Sequence, residues 1–135
     1  MTRFVIDAPT LLHLVAERVD VAPDHQLVAP QVLRSQALEL LFAAVSRGEL
    51  TEADALERHD TMTRVKVRSL GDRVSRRVAR QIAREHGLAS TTYAEYLAVT
   101  RLQADVFVSV DPAARARAQD VVPVGSVDQL STGIG

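Results

Sequence analysis

Two aspartates stand where carboxylates can do chemistry. In "RFVIDAPTLLHLV" Asp7 ends an apolar, β-branched run, and in "VFVSVDPAARARA" Asp111 ends another, each just ahead of a run with helical character. An Asp at such a junction can cap the helix that follows, accepting hydrogen bonds from its first free N–H groups. If the two strands are neighbours, the same carboxylates converge on one crevice. Like charges held close raise each other's proton affinity, and a hard divalent cation is the usual remedy. Spacing alone leaves both readings open, a pair of caps or a metal site.

Other chemistries find less support in the chain. With no cysteine there is no disulfide framework, thiolate zinc site or sulfur nucleophile. His13, His25, His59 and His86 have no paired spacing suited to a metal; His13 reads as a packed helix residue and the others as solvent-facing. Ser35, Ser109 and the remaining serines lack a nucleophile elbow, and no glycine-rich loop is present to cradle a nucleotide phosphate.

The elements that must position the two aspartates follow from periodicity. "RFVI" predicts a strand and "PTLLHLVAE" a short helix; "QLVA" predicts a second short strand. Residues 30–47 predict a long, well-buried helix, with Pro30 in its first turn and Gly48 at its stop. Thr51 and Asp54 resemble a capping box ahead of "EADALERHDTMT", and "RVKVRSL" alternates like an edge strand. Asp72 caps "RVSRRVARQIAREH", whose Val74, Val78 and Ile82 form an apolar i, i+4 stripe, and Gly87 ends it. A helix over "TTYAEYLAVTRLQ", a strand over "DVFVSV", a short helix over "PAARARA" and a last strand over "DVVPV" complete the chain. Strands separated by helices indicate an α/β fold with a mainly parallel sheet of about four to five strands, and ligands then bind outside the carboxyl ends of the strands.

Bulk properties bound the function class. The 135 residues suit a single domain over residues 1–130, with 131–135 as a loose tail. The first residues lack a signal-peptide core and no apolar run is long enough to span a bilayer, so a soluble, cytoplasmic protein is expected. A net charge of −1 gives no bulk argument for nucleic acid, but the distribution is uneven. Residues 64–84 hold Arg64, Lys66, Arg68, Arg73, Arg76, Arg77, Arg80 and Arg84, with Asp72 as the only acid. Arginine forks match phosphate oxygens, so Arg73, Arg76, Arg77 and Arg80 are candidates for an RNA backbone, or else form a solvated face.

The order strand-Asp, long helix after "AP", capped helix, basic helix, "YLA" helix and strand-Asp resembles the PIN domain, most closely the VapC-like ribonuclease toxins of toxin–antitoxin pairs. The likeness runs from "FVIDAPTLL" through "APQVLRSQALELLFAAVSRGELT" and "LGDRVSRRVARQIAREHGLASTTYAEYLAVTRLQADVFVSVD" to "VVPV". It implies a three-layer α/β/α fold and a Mg²⁺- or Mn²⁺-dependent endoribonuclease acting on RNA, with an antitoxin partner and a homodimer. The alternative is a PIN domain that binds RNA or protein without cutting.

The resemblance implies three or four acids as the site. Asp7 matches the first and Asp111 the last, whereas the position of the helix Glu falls on Gln36 and that of the Asp before "YLA" on Tyr93. Glutamine offers a carbonyl oxygen without charge, and tyrosine a protonated hydroxyl. Glu39, three residues beyond Gln36, shares its helical face and could reach a shifted metal; Glu95 falls on another face from Tyr93. Thr10 stands where small hydroxyl residues hydrogen-bond the first Asp. Two other strand-Asp classes are disfavoured. Haloacid dehalogenase phosphatases want a second Asp where this chain has Pro9, and they and response-regulator receivers want a lysine on a later core strand. Lys66 is the only lysine, outside those strands.

Overall fold

The structure, a computed structural model, describes residues 1–132. Along them run β1 Thr2–Ile6, α1 Ala8–Ala16, β2 His25–Pro30, α2 Leu33–Ser46, α3 Glu52–Arg64, β3 Val67–Leu70, α4 Arg73–Glu85, α5 Thr91–Gln103, β4 Val106–Val108, α6 Pro112–Ala118, β5 Val124–Gly125 and α7 Asp128–Ser131. The strands form one sheet in the order β3-β2-β1-β4-β5 with every pairing parallel. From β1 the chain builds outward through β2 to β3, then returns to place β4 on the other side of β1. The strand order therefore reverses between β1 and β4, where an open α/β sheet forms its crevice.

Both faces of the sheet are covered, giving the three-layer α/β/α architecture expected. Phe4, Val5 and Ile6 of β1 and Phe107 and Val108 of β4 are all buried, the continuous apolar pattern of inner parallel strands. The α5 helix packs on β1, β2 and β4 through a surface that includes Ala94, Leu97 and Ala98 and carries α4 on its flank, while α1, α2 and α3 pack together. The register sets Ile6 beside Val108, so the segments leaving both strands emerge side by side.

Several sequence expectations are corrected. Pro30 closes β2 instead of opening α2, its fixed φ being equally at home in extended chain. The α2 helix is not well buried: Leu33, Ala37 and Leu41 enter the core, but Leu38 and Phe42 are exposed. On α4 the buried face is Ser75, Ala79, Ile82 and Ala83, and Val74 is 49% exposed. Ile82 is buried and Val78 packs against the core as the stripe predicts, and a reciprocal capping box opens the helix. The Ser75 N–H donates to Asp72 Oδ1 at 2.9 Å and the Asp72 N–H donates to Ser75 Oγ at 2.8 Å, which draws Ser75 inward. His25 is half-buried, its ring edge-on to Phe4 and its Nε2 2.6 Å from the carbonyl oxygen of Thr132. That contact and helix α7 tie down residues 131 and 132 of the expected tail; 133–135 lie outside the described residues.

Candidate functional site

Asp7 follows β1 directly, and Asp111 follows β4 after Ser109 and Val110, so adjacency of the two strands brings the carboxylates to one cleft. Both capping readings are realised. Asp7 accepts the Thr10 N–H at 3.2 Å as N-cap of α1, and Asp111 accepts the Ala113 N–H at 3.1 Å as N-cap of α6. Asp7 does more than cap. It is only 6% exposed; its Oδ1 also accepts the Thr10 hydroxyl, and its Oδ2 accepts the Ser109 hydroxyl at 2.6 Å. Each hydroxyl in turn accepts a backbone N–H from the β4–α6 turn, Val110 to Thr10 and Asp111 to Ser109, both at 3.1 Å. Asp7 is thus the centre of a clasp joining the exits of β1 and β4. Burial pushes its carboxyl above the ordinary value, against the lowering effect of the Ser109 and Thr10 hydrogen bonds, and nearby Asp111 adds to the rise.

A cleft of about 440 Å³ opens beside this clasp, lined by Asp7, Asp111, Gln36, Glu39, Tyr93 and Arg117 among others. Gln36 and Glu39 reach it from α2, one turn apart as their spacing dictates. The Gln36 Oε1 accepts the hydroxyl of Tyr96 at 2.6 Å. The Tyr93 hydroxyl donates to the carbonyl of Ala114, another lining residue, at 2.5 Å, and Arg117 covers the ring at 4.7 Å from the centroid. Burial raises both phenols: Tyr93 is pushed up to about 12 despite the opposing charge of Arg117, and Tyr96 rises too, helped by Asp7. Both stay protonated and act as donors across the neutral range.

Asp7, Asp111, Gln36, Glu39 and Tyr93 therefore share one cleft, and Thr10 supports it from below. Arg73, Arg76, Arg77 and Arg80 are exposed on α4 and do not line it. Sequence reasoning missed Ser109, Tyr96 and Arg117. The only signals were a hydroxyl two residues before Asp111 and an arginine on the last turn of the short helix that Asp111 caps.

A hard divalent cation does not fit this donor set. Among the described residues no three of Asp, Glu, His and Cys come together as a cage. Of the two clasp-side carboxylates, Asp7 has both oxygens engaged by hydroxyls, and the Gln36 oxygen is taken by Tyr96. Affinity in such sites follows ligand charge, and Gln36 and Tyr93 bring an amide and a phenol to this cleft where a carboxylate would bring charge.

The topology and the strand-end cleft define the chain as having a PIN-domain, VapC-like fold. No family model and no curated protein matches the sequence. Among solved structures it is similar to PAE2754 from Pyrobaculum aerophilum, at TM-score 0.70 and 20% identity over 96% of this chain and 93% of that one. It is also similar to VapBC-1 from nontypeable Haemophilus influenzae, at TM-score 0.54 and 14% identity over 92% and 97% of the two chains. No helix among the described residues is long and apolar enough to cross a membrane.

Proposed function

We propose that this chain is a VapC-like PIN domain that works by docking a basic protein partner of the antitoxin kind in its acidic cleft, without metal-dependent cleavage of RNA. The observation that carries the reading is the donor set: Asp7, Asp111 and Glu39 keep the cleft acidic, while Gln36 and Tyr93 spend their oxygens on other hydrogen bonds. An acidic, aromatic-lined cleft that cannot cage a metal still attracts an organic cation. The α2 helix that borders the cleft also exposes Leu38 and Phe42, apolar surface suited to the homodimer that the resemblance implies. Such a pair would act in the cytoplasm.

A second reading, a Mg²⁺- or Mn²⁺-dependent endoribonuclease, is favoured by one observation, the meeting of Asp7, Asp111 and Glu39 in a single cleft. In that reading the exposed arginines Arg73, Arg76, Arg77 and Arg80 would hold the RNA backbone. Incubation with RNA in Mn²⁺ and in chelator separates the two. The docking reading expects no metal-dependent cleavage and saturable binding of a synthetic amphipathic helix bearing arginine. Cleavage abolished by chelator and by Asp111→Asn would establish the nuclease instead.

A further inference from the structure

A second, smaller opening lies along the same carboxyl edge of the sheet. It measures about 200 Å³ and is lined by Gln31, Val32, Leu70, Gly71, Arg76 and Glu95. Leu70 ends β3, Gln31 and Val32 leave β2, Arg76 stands near the start of α4 and Glu95 is on α5. The sheet order sets this opening two strand spacings from the acidic cleft, roughly 10 Å, and the two share no lining residue.

Val32 and Leu70 are half-buried and give the opening apolar walls. Gly71 has φ 126°, so a side chain is disfavoured at this rim position and the entrance stays clear. Arg76 and Glu95 carry opposite charges, yet among the described residues they form no ion pair, and neither side chain makes a hydrogen bond. The opening therefore holds a guanidinium that only donates and a carboxylate that only accepts, with the Gln31 amide able to do either. Glu95 repels a phosphate and Arg76 repels a metal cation. A neutral planar group with one acceptor edge and one donor edge satisfies both. Sites for drug-sized ligands run to roughly 300–1,000 Å³, so this one suits a single ring system.

We propose that this opening is a seat for a guanine base, with Arg76 donating to O6 and N7 and the Glu95 carboxylate accepting N1–H and the N2 amino group. Guanine gives both charged groups a two-pronged match. An arginine fork on O6 and N7 is the commonest specific base contact, and two donors side by side suit the two oxygens of a carboxylate. Adenine has no second acceptor beside N7, and cytosine and uracil offer Glu95 a single donor group. Val32 and Leu70 then cover the ring. Arg73 and Arg80, at i−3 and i+4 from Arg76, lie along the same stripe of α4 and are exposed, placed to meet phosphates on either side of the base. That stripe favours a guanine within a single strand over a free nucleotide. The inference goes beyond the docking reading and does not depend on it, since no residue of the acidic cleft takes part and no cleavage is needed.

The test measures binding of labelled heptauridylate, and of the same strand with one central guanine, adenine or cytosine, to the full chain in chelator, with GMP as competitor. The guanine strand should bind about tenfold tighter than heptauridylate, the low end of what a bidentate base contact discriminates. Inosine in place of guanine lacks the N2 amino group and should lose part of that advantage, an arm that needs no variant. Glu95→Gln, which turns one acceptor into a donor at the same shape, and Arg76→Lys, which keeps the charge and loses the fork, should each bring the guanine strand close to heptauridylate. Arg80→Ala should weaken every strand alike and leave the preference intact. Equal affinity of wild type for the guanine and uridine strands, or a preference that survives Glu95→Gln, would overturn the seat. Competition by GMP at the strand's own affinity would keep the guanine seat and overturn the single strand as its source. Metal-dependent cleavage would remove the docking reading and leave this result untouched.

Discussion

The acidic cleft and the arginine face of α4 solve opposite electrostatic problems in opposite ways. In the cleft, Asp7 is buried and both of its carboxylate oxygens accept hydroxyls that themselves accept backbone N–H groups, so this carboxylate is embedded in a fixed network. On α4, Arg73, Arg77, Arg80 and Arg84 follow one another at i, i+4, i+7 and i+11, with Arg76 alongside, all exposed. Like charges at those spacings repel, and the helix holds because Ala79, Ile82 and Ala83 are buried and its N-terminus is boxed. Embedded charge fixes geometry; solvated charge leaves it free and serves long-range attraction.

This contrast predicts a hierarchy of effects. The largest is expected from Asp7→Ala, which removes a cap and strands two buried hydroxyls. It should cost about 3 kcal/mol in urea unfolding, from a cap of roughly 1 and unsatisfied groups of roughly 1–3 kcal/mol. Thr10→Val and Ser109→Ala, each removing one arm of the clasp, should cost about 1–2 kcal/mol apiece.

Asp7→Asn separates the hydrogen bonds from the charge. Since the Asp7 carboxyl is raised above its ordinary 3.8, the folded state binds that proton more tightly than the unfolded chain does. Its contribution is therefore fully present below 3.8 and is lost as pH rises through the raised value. The difference in stability between wild type and Asp7→Asn should shift in favour of Asp7→Asn as pH increases through that window, measured by denaturant midpoints at a series of pH values. A difference that does not change with pH would show that Asp7 ionises as if exposed.

The smallest effect should be on the arginine face. Arg77→Glu relieves repulsion from Arg73 at i−4 and Arg80 at i+3, so stability should rise by about 0.2–0.5 kcal/mol per relieved pair. RNA retention on a filter, if it occurs, should fall with the same change and weaken steeply with salt. A loss of stability on Arg77→Glu would break the comparison, since it would mean that the face is structurally engaged.

The two regions also differ in how well the sequence announced them. The α4 face could be read directly, because helical spacing is local and five arginines in a thirteen-residue helix leave little choice. The parallel sheet and the meeting of Asp7 with Asp111 were legible too, since apolar runs ending in Asp fix both strand and exit. The clasp was not. Ser109 and Asp7 are 102 residues apart, and nothing in "VFVSVD" says which way the serine hydroxyl will point. Nor could helical periodicity foresee that Tyr93 would turn its hydroxyl to Ala114 and offer its ring to Arg117, because both contacts depend on how α6 docks against α5. Val74 misled because it sits in the first turn of α4, where Ser75 is the buried residue, while Val78 and Ile82 of the same stripe do pack on the core.

The measurement that bears most directly on the central claim is calorimetric titration of the full chain with Mn²⁺, alongside Tyr93→Asp combined with Gln36→Glu. The account predicts no saturable heat for wild type and a binding isotherm for the double substitution, which places two further carboxylates beside Asp7 and Asp111. One site filled in wild type and lost in Asp111→Asn would contradict it, and would make this cleft a metal centre after all.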